Sequence, residues 1–167
     1  MADTFQPSSL VYTPPRRPSQ NLRTLLAYID SRNHLSPDIM KYFHATLEHR
    51  YLPKSLGRPV LNRRQYGEYM SQLQPMFRSF RMTLHQVIET GDTIVYHATA
   101  VGESVSGARY DNEYMTTMQF VMGEHGPQIS YVKEYVDSRK TTEFFQEHSA
   151  RVAEINRRRS QSVSQGS

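Results

Sequence analysis

The sequence predicts an α+β fold: a curved antiparallel sheet wrapped around helices that precede it. Three observations carry that reading. Apolar residues recur at helical spacing in the first half of the chain, alternate through the middle, and return to helical spacing near the end. Short Gly-containing turns join the alternating runs, which makes them neighbours in an antiparallel meander. Helices that come before such a sheet must cover one of its faces.

The elements follow in order. Leu22, Leu25, Leu26 and Ile29 form one apolar stripe of a first helix. A short second helix is expected at Ser36-Pro37-Asp38, with Ser as cap and Pro at the first helical position, and Ile39, Met40 and Phe43 inside. Residues 44–52 predict a short strand, and Pro53 to Pro59 a loop. Asn62 with Gln65 three positions on is a capping signal for a third helix, whose stripe is Tyr66, Tyr69, Met70, Leu73 and Phe77. The period then becomes alternating: Phe80, Met82, Leu84 and Ile88 share one face of a strand. Thr90-Gly91-Asp92 turns the chain into residues 93–103, where Ile94, Tyr96, Ala98 and Ala100 oppose Val95, His97, Thr99 and Val101. Residues 110–122 and 128–137 are the last two strands, and a closing helix over 141–155 presents Phe144, Phe145, His148 and Val152.

The chain reads as one domain over residues 21–156, long enough to bury a core. Residues 1–20, with Pro7, Pro14, Pro15 and Pro18, read as a disordered Pro-rich arm, and residues 157–167 as a disordered basic, Ser-rich tail. The formal net charge of +4 sits entirely on these flanks, since residues 21–150 hold 14 basic and 14 acidic side chains. Nucleic-acid binding, which needs a basic face on the folded surface, is therefore not expected. Cysteine is absent, which excludes disulfides and thiolate chemistry. No apolar run is long enough to span a bilayer and the N-terminus lacks the order of a secretory signal, so a cytoplasmic protein with no membrane partner is expected.

The first candidates to carry chemistry lie on the last strand. On the final strand Val132, Glu134 and Val136 share a face, which places a carboxyl among apolar side chains. Burial raises a carboxyl pKa and suits it to proton transfer; the alternative role for Glu134 is a structural ion pair. Asp137, at the strand's end, is the second candidate acid, with capping of the closing helix as its other reading. His49 is a candidate proton relay beside a carboxylate. His85 and His97, on neighbouring strands, are candidates to line the same cup, as are Tyr96 and Tyr114, whose hydroxyls can donate to a developing enolate. Lys54 and Arg58 are placed to hold an anionic group at a cavity mouth. No helix-spaced His pair and no Gly-rich nucleotide motif is present, so neither metal nor cofactor is expected.

The loop PKSLGRP, the strand YDNEYMTTMQF and the ending ISYVKEYVDS, in this order of elements, resemble the SnoaL-like branch of the nuclear-transport-factor-2-like superfamily, fungal members in particular. The resemblance covers residues 22–145. It implies a cone-shaped barrel with an internal pocket, a homodimer packed through the sheets, and Glu134 as a pocket acid. Related sequences also place a polar pocket residue where His49 stands. Relatives include polyketide cyclases, meroterpenoid isomerases and dehydratases of secondary metabolism, as well as proteins that bind a ligand or partner without chemistry. The leading expectation is a cofactor-free cyclase, isomerase or dehydratase acting on a small hydrophobic, carbonyl-bearing metabolite. The rival is a non-catalytic dimeric module that binds a small ligand or a protein. An enclosed pocket with a perturbed Glu134 favours the enzyme; a pocket filled by Met and Tyr side chains, with Glu134 in a salt bridge, favours the module.

Overall fold

The computed structural model describes residues 11–164. The first ten residues of the expected arm, and residues 165–167 of the expected tail, lie outside the described residues. Helix α1 (Gln20–Asn33) starts at Ser19, whose side chain accepts from the Leu22 amide, and it buries Leu22, Leu25, Tyr28, Ile29 and Arg32. The expected second helix is a 3-10 turn, Pro37–Tyr42, capped by Ser36 as predicted and kinked at Asp38. Strand β1 (Phe43–Leu52) leads through the Lys54–Leu56 turn to the short β2 (Leu61–Asn62) and helix α2 (Arg63–Leu73). The Asn62–Gln65 capping box is present, each side chain accepting from the other's backbone amide at 3.0 Å.

The long strands are β3 (Phe77–Thr90), β4 (Thr93–Ser104), β5 (Arg109–Gly123) and β6 (Gly126–Val136). They form the antiparallel meander expected from their short turns. Strand β1 then joins the far edge in parallel with β6, giving the order β2-β1-β6-β5-β4-β3. Alternation reveals which face a strand buries, but not its partner; that pairing is decided by α1 and the 3-10 turn, which carry the chain back to the start of β6.

The inner face of the sheet closes on α1 and α2. Phe80, Met82 and Leu84 of β3, Ile94, Tyr96, Ala98 and Ala100 of β4, and Tyr114, Met118 and Phe120 of β5 are all buried there. The predicted face of β3 holds only as far as Leu84. An irregularity between Leu84 and Gln86, opposite Ala98 and His97, inserts one residue and reverses the parity. Val87 consequently packs against the core, while Ile88, expected inside, is exposed.

A second irregularity, between Phe77 and Ser79, brings Gly102 against the neighbouring backbone. A Cβ at Gly102 would lie 2.5 Å from the Ser79 carbonyl oxygen, a contact neither strand can relieve by a rotamer change. Gly102→Ala is expected to cost about 1–3 kcal/mol, read as a lower urea midpoint with an unchanged slope.

Helix α3 (Ser138–Ser164) is longer than the 141–155 expected from its apolar stripe. Residues 157–162 are all exposed; Arg157 and Arg158 both pair with Glu154, which holds the helix together by contacts three and four residues apart. Residues 11–19 run along the sheet without regular structure, and the Tyr12 amide donates to the Leu84 carbonyl at 2.8 Å.

Candidate active site

Glu134 lies where alternation on β6 puts it, between the buried Val132 and Val136, and is itself only 3 % exposed. Strand register aligns it with Thr116 on β5 and, beyond that, Tyr96 on β4; on its other side stands Tyr51 of β1. These four side chains form one rung across the inner face. Among the described residues Glu134 has no ion pair, and its Oε2 atom is buried without a hydrogen-bond partner. Burial pushes the carboxyl above its ordinary range, and the positive charge of Arg32 opposes that shift without cancelling it.

Above this rung lies a narrow cavity with about 50 Å³ of free space, opening at one end to solvent. Glu134 and Tyr51 belong to its wall together with Arg32, Phe77, Phe80, Tyr110, Tyr114 and Val136; Leu56, Arg58, Tyr69, Leu73, Thr141 and Phe145 complete the lining. Glu134 is the only carboxyl among these residues. Arg32 is the second charged group, 8 % exposed on the last turn of α1. Its guanidinium lies over the Phe80 ring at 5.0 Å and donates to the Tyr28 hydroxyl at 3.3 Å. No carboxylate among the described residues is close enough to pair with it. Burial opposes the Arg32 charge, and the surrounding tyrosines and Glu134 support it, so that it stays protonated.

Tyr110 and Tyr114 share a hydrogen bond between their hydroxyls. Asn112 donates to the Tyr110 oxygen at 3.3 Å, which lets Tyr110 give its own proton to Tyr114 and leaves the Tyr114 hydrogen for the cavity. Burial holds both phenols protonated, with Tyr110 pushed up to about 12 and Tyr114 well above its ordinary value. The cavity therefore joins one buried acid to two hydrogen-bond donors, Arg32 and Tyr114, on aromatic walls.

The structure does not bring all the expected residues to this place. His49 points inward but lies outside the cavity lining, stacked on Tyr66 with ring centres 4.4 Å apart. Burial and the nearby Arg32 charge lower its pKa to about 3, so His49 is neutral at physiological pH and is no ready proton acceptor. Asp137 is the cap of α3: its Oδ1 accepts from the amides of Arg139 and Lys140 at 3.0 and 3.2 Å, and it does not line the cavity.

His85 and His97 lie on the outer face of the sheet. His97 bonds Glu113 at 2.6 Å and His85 bonds Thr99 at 2.8 Å, with their two rings 5.1 Å apart. The cause is the alternation itself, since His97 follows the buried Tyr96 and His85 follows the buried Leu84. Tyr114 lines the cavity, whereas Tyr96 is sealed beneath it, its hydroxyl unpartnered.

Arg32, Tyr51 and Tyr110 were missed by the sequence reading, although each carried a signal. Arg32 extends the Leu22–Leu25–Ile29 stripe by one more step of three, and Tyr110 shares the face of Asn112 and Tyr114. Tyr51 likewise continues the alternation of Leu47 and His49. Among the described residues no group of three or more His, Asp or Glu side chains is arranged to hold a metal ion. No helix among them is long and apolar enough to cross a membrane.

A cone of sheet and helices around an acid-bearing aromatic cavity defines a class of protein, and comparison with known proteins agrees. No family model matches the chain. It is 30% identical over 111 residues to a protein named monooxygenase from Claviceps purpurea (strain 20.1), a match spanning 63% of this chain and 69% of that protein. BvnE pinacolase from Penicillium brevicompactum superposes with a TM-score of 0.67 and 26% identity, over 80% of this chain and 96% of that one. A nuclear-transport-factor-2-like protein from Burkholderia pseudomallei shares the fold with a TM-score of 0.63 at 12% identity, over 75% and 97% of the two chains. The chain belongs to the SnoaL-like branch of the nuclear-transport-factor-2-like superfamily.

Proposed function

We propose that the protein is an acid–base enzyme that isomerises, cyclises or dehydrates a hydrophobic, carbonyl-bearing metabolite inside the cone. The observation that carries this reading is Glu134: a carboxyl with no ion pair, buried at the wall of an open aromatic cavity. A carboxyl buried as one half of a structural bridge would have a cation in contact, and Glu134 has none among the described residues. The name pinacolase, borne by the Penicillium neighbour, supports a rearrangement started by a proton. The name of the Claviceps relative supports no more than an enzymatic role for the fold.

The step follows from the positions of the groups. Neutral Glu134 gives its proton to a substrate hydroxyl or epoxide oxygen; the C–O bond breaks, its electron pair staying on that oxygen. The carboxylate left behind takes a proton from a neighbouring C–H or O–H. If water departs the outcome is dehydration, and if a carbon migrates or a ring closes it is isomerisation or cyclisation. Arg32 and Tyr114 donate to the adjacent carbonyl oxygen and fix the substrate's orientation while the C–O bond breaks. The aromatic walls exclude water that would quench the intermediate.

The test is to incubate the protein with a panel of hydrophobic β-hydroxyketones, α-hydroxyketones and epoxides, followed by mass spectrometry. Conversion of one class above the buffer rate, lost in a Glu134→Gln variant, is the expected result. No conversion in any class, or equal conversion by the variant, would contradict the reading.

Pairing of two copies through the outer sheet face accompanies this proposal. Ile88, Val101, Met115 and Tyr135 are exposed on that face, where a partner would cover them. Sedimentation at micromolar concentration is expected to give a dimer, which Met115→Glu should shift toward monomer; a monomeric wild-type protein would contradict it.

A further inference from the structure

Arg58 is the one charged lining residue that this chemistry leaves unused. It follows Gly57, whose φ of 64° reverses the chain after the Lys54–Leu56 turn. A residue with a Cβ is strained in that conformation, so Gly57 is what allows the loop to carry Arg58 to the rim of the cavity. There the guanidinium carbon lies 5.7 Å from the centre of the Tyr69 ring and 5.8 Å from that of Phe145. The two rings belong to different helices, α2 and α3, and both line the cavity.

Among the described residues Arg58 engages no carboxylate and no hydrogen-bond acceptor. Five other arginines of the folded body differ: Arg50, Arg64, Arg78, Arg139 and Arg151 each pair with a Glu. The aromatic contacts steady the planar fork beside the opening without satisfying its donors. The only carboxyl in the lining is Glu134, inside the cone, so the cavity sets two guanidiniums against a single acid.

We propose that Arg58 anchors the substrate by its carboxylate. On this view the metabolite is a hydrophobic organic acid, lying between Tyr69 and Phe145 with its charged end on Arg58 and its reacting oxygen at Glu134. A planar guanidinium with two parallel donors matches the two oxygens of a carboxylate, and its single charge balances the carboxylate's own. The assignment rests on the cavity being the substrate site, and it adds the charge and the orientation of the molecule that enters.

The test uses the full chain and two probes of matched shape, 2-naphthoate and 2-naphthamide, titrated calorimetrically. The wild-type protein is expected to bind the carboxylate about tenfold more tightly than the amide. Arg58→Met should abolish that preference by weakening the carboxylate alone, since methionine keeps the aromatic contacts but not the charge. Arg58→Lys should retain part of it. Equal affinity of the wild type for both probes would overturn the anchoring role and leave the cavity reading intact. So would a preference that survives Arg58→Met and disappears in Arg32→Met. If neither probe binds saturably, the cavity is not a ligand site and both readings fall together.

Discussion

Replacing Glu134 by Gln is expected to lower turnover by about 10²–10⁴-fold while leaving the fold and the cavity in place. Gln keeps the size and one hydrogen-bond acceptor of the side chain but has no proton to give. The same substitution should act in the opposite sense on stability. Burial raises the Glu134 carboxyl above its unfolded value. The folded protein therefore binds more protons than the unfolded chain between those two values. Wild-type stability falls as pH rises through that window and levels off above the folded pKa. The Gln variant carries no such penalty, so its melting temperature should exceed that of the wild type at alkaline pH and converge with it in acid. A side chain that is inactive but stabilising is the pattern of a strained functional group. If Glu134 were instead a structural partner, the variant would melt lower at every pH and turnover would survive.

Replacing Arg32 by Met is the second large effect, about 10²–10³-fold in turnover, from loss of a donor aimed at the substrate oxygen. A second readout separates this role from simple packing. The Arg32 charge favours the ionised form of Glu134 and so holds its pKa below the value burial alone would set. Removing the charge must move the Glu134 pKa up. In a reaction that begins with protonated Glu134, activity is present below that pKa and lost above it. The alkaline limb of the residual activity should therefore shift to higher pH in Arg32→Met. A packing defect would lower the rate without moving the limb. His49 gains as well, because the same charge helps to depress its pKa, although burial, the larger cause, persists in the variant.

These expectations rest on residues that were unequally legible in the sequence. Glu134 could be found because a strand's faces alternate by two, and the valines on either side mark its face as the inner one. The same rule placed Tyr114 in the cup, and it would have put His97 outside, since Tyr96 and His97 are consecutive. His85 falls to the outer face for the same reason, and the irregularity beside it explains why Ile88 emerges at the surface. Arg32 was hidden by its chemistry: an apolar stripe is read from apolar residues, and a guanidinium that continues it looks like the helix's solvent end.

The parallel pairing of β1 with β6 had no local signal at all, because the partner of a strand is set by α1 and the 3-10 turn that bring the chain back to β6. The long extension of α3 was equally silent. Residues 157–162 are exposed, and the contacts that favour the helix there are between Arg157, Arg158 and Glu154 on the helix itself. Composition marked that stretch as a solvated tail, whereas its charge spacing suits a solvated helix.

The central claim is that Glu134 stands ready as a neutral acid in the cavity. Infrared difference spectroscopy between the wild type and Glu134→Gln measures that directly, because a protonated carboxyl and a carboxylate absorb in separate regions. The account predicts a protonated-carboxyl band in the wild-type protein at neutral pH, absent from the variant and lost on titration to alkaline pH. A wild-type spectrum at neutral pH in which Glu134 contributes only carboxylate absorption would contradict it.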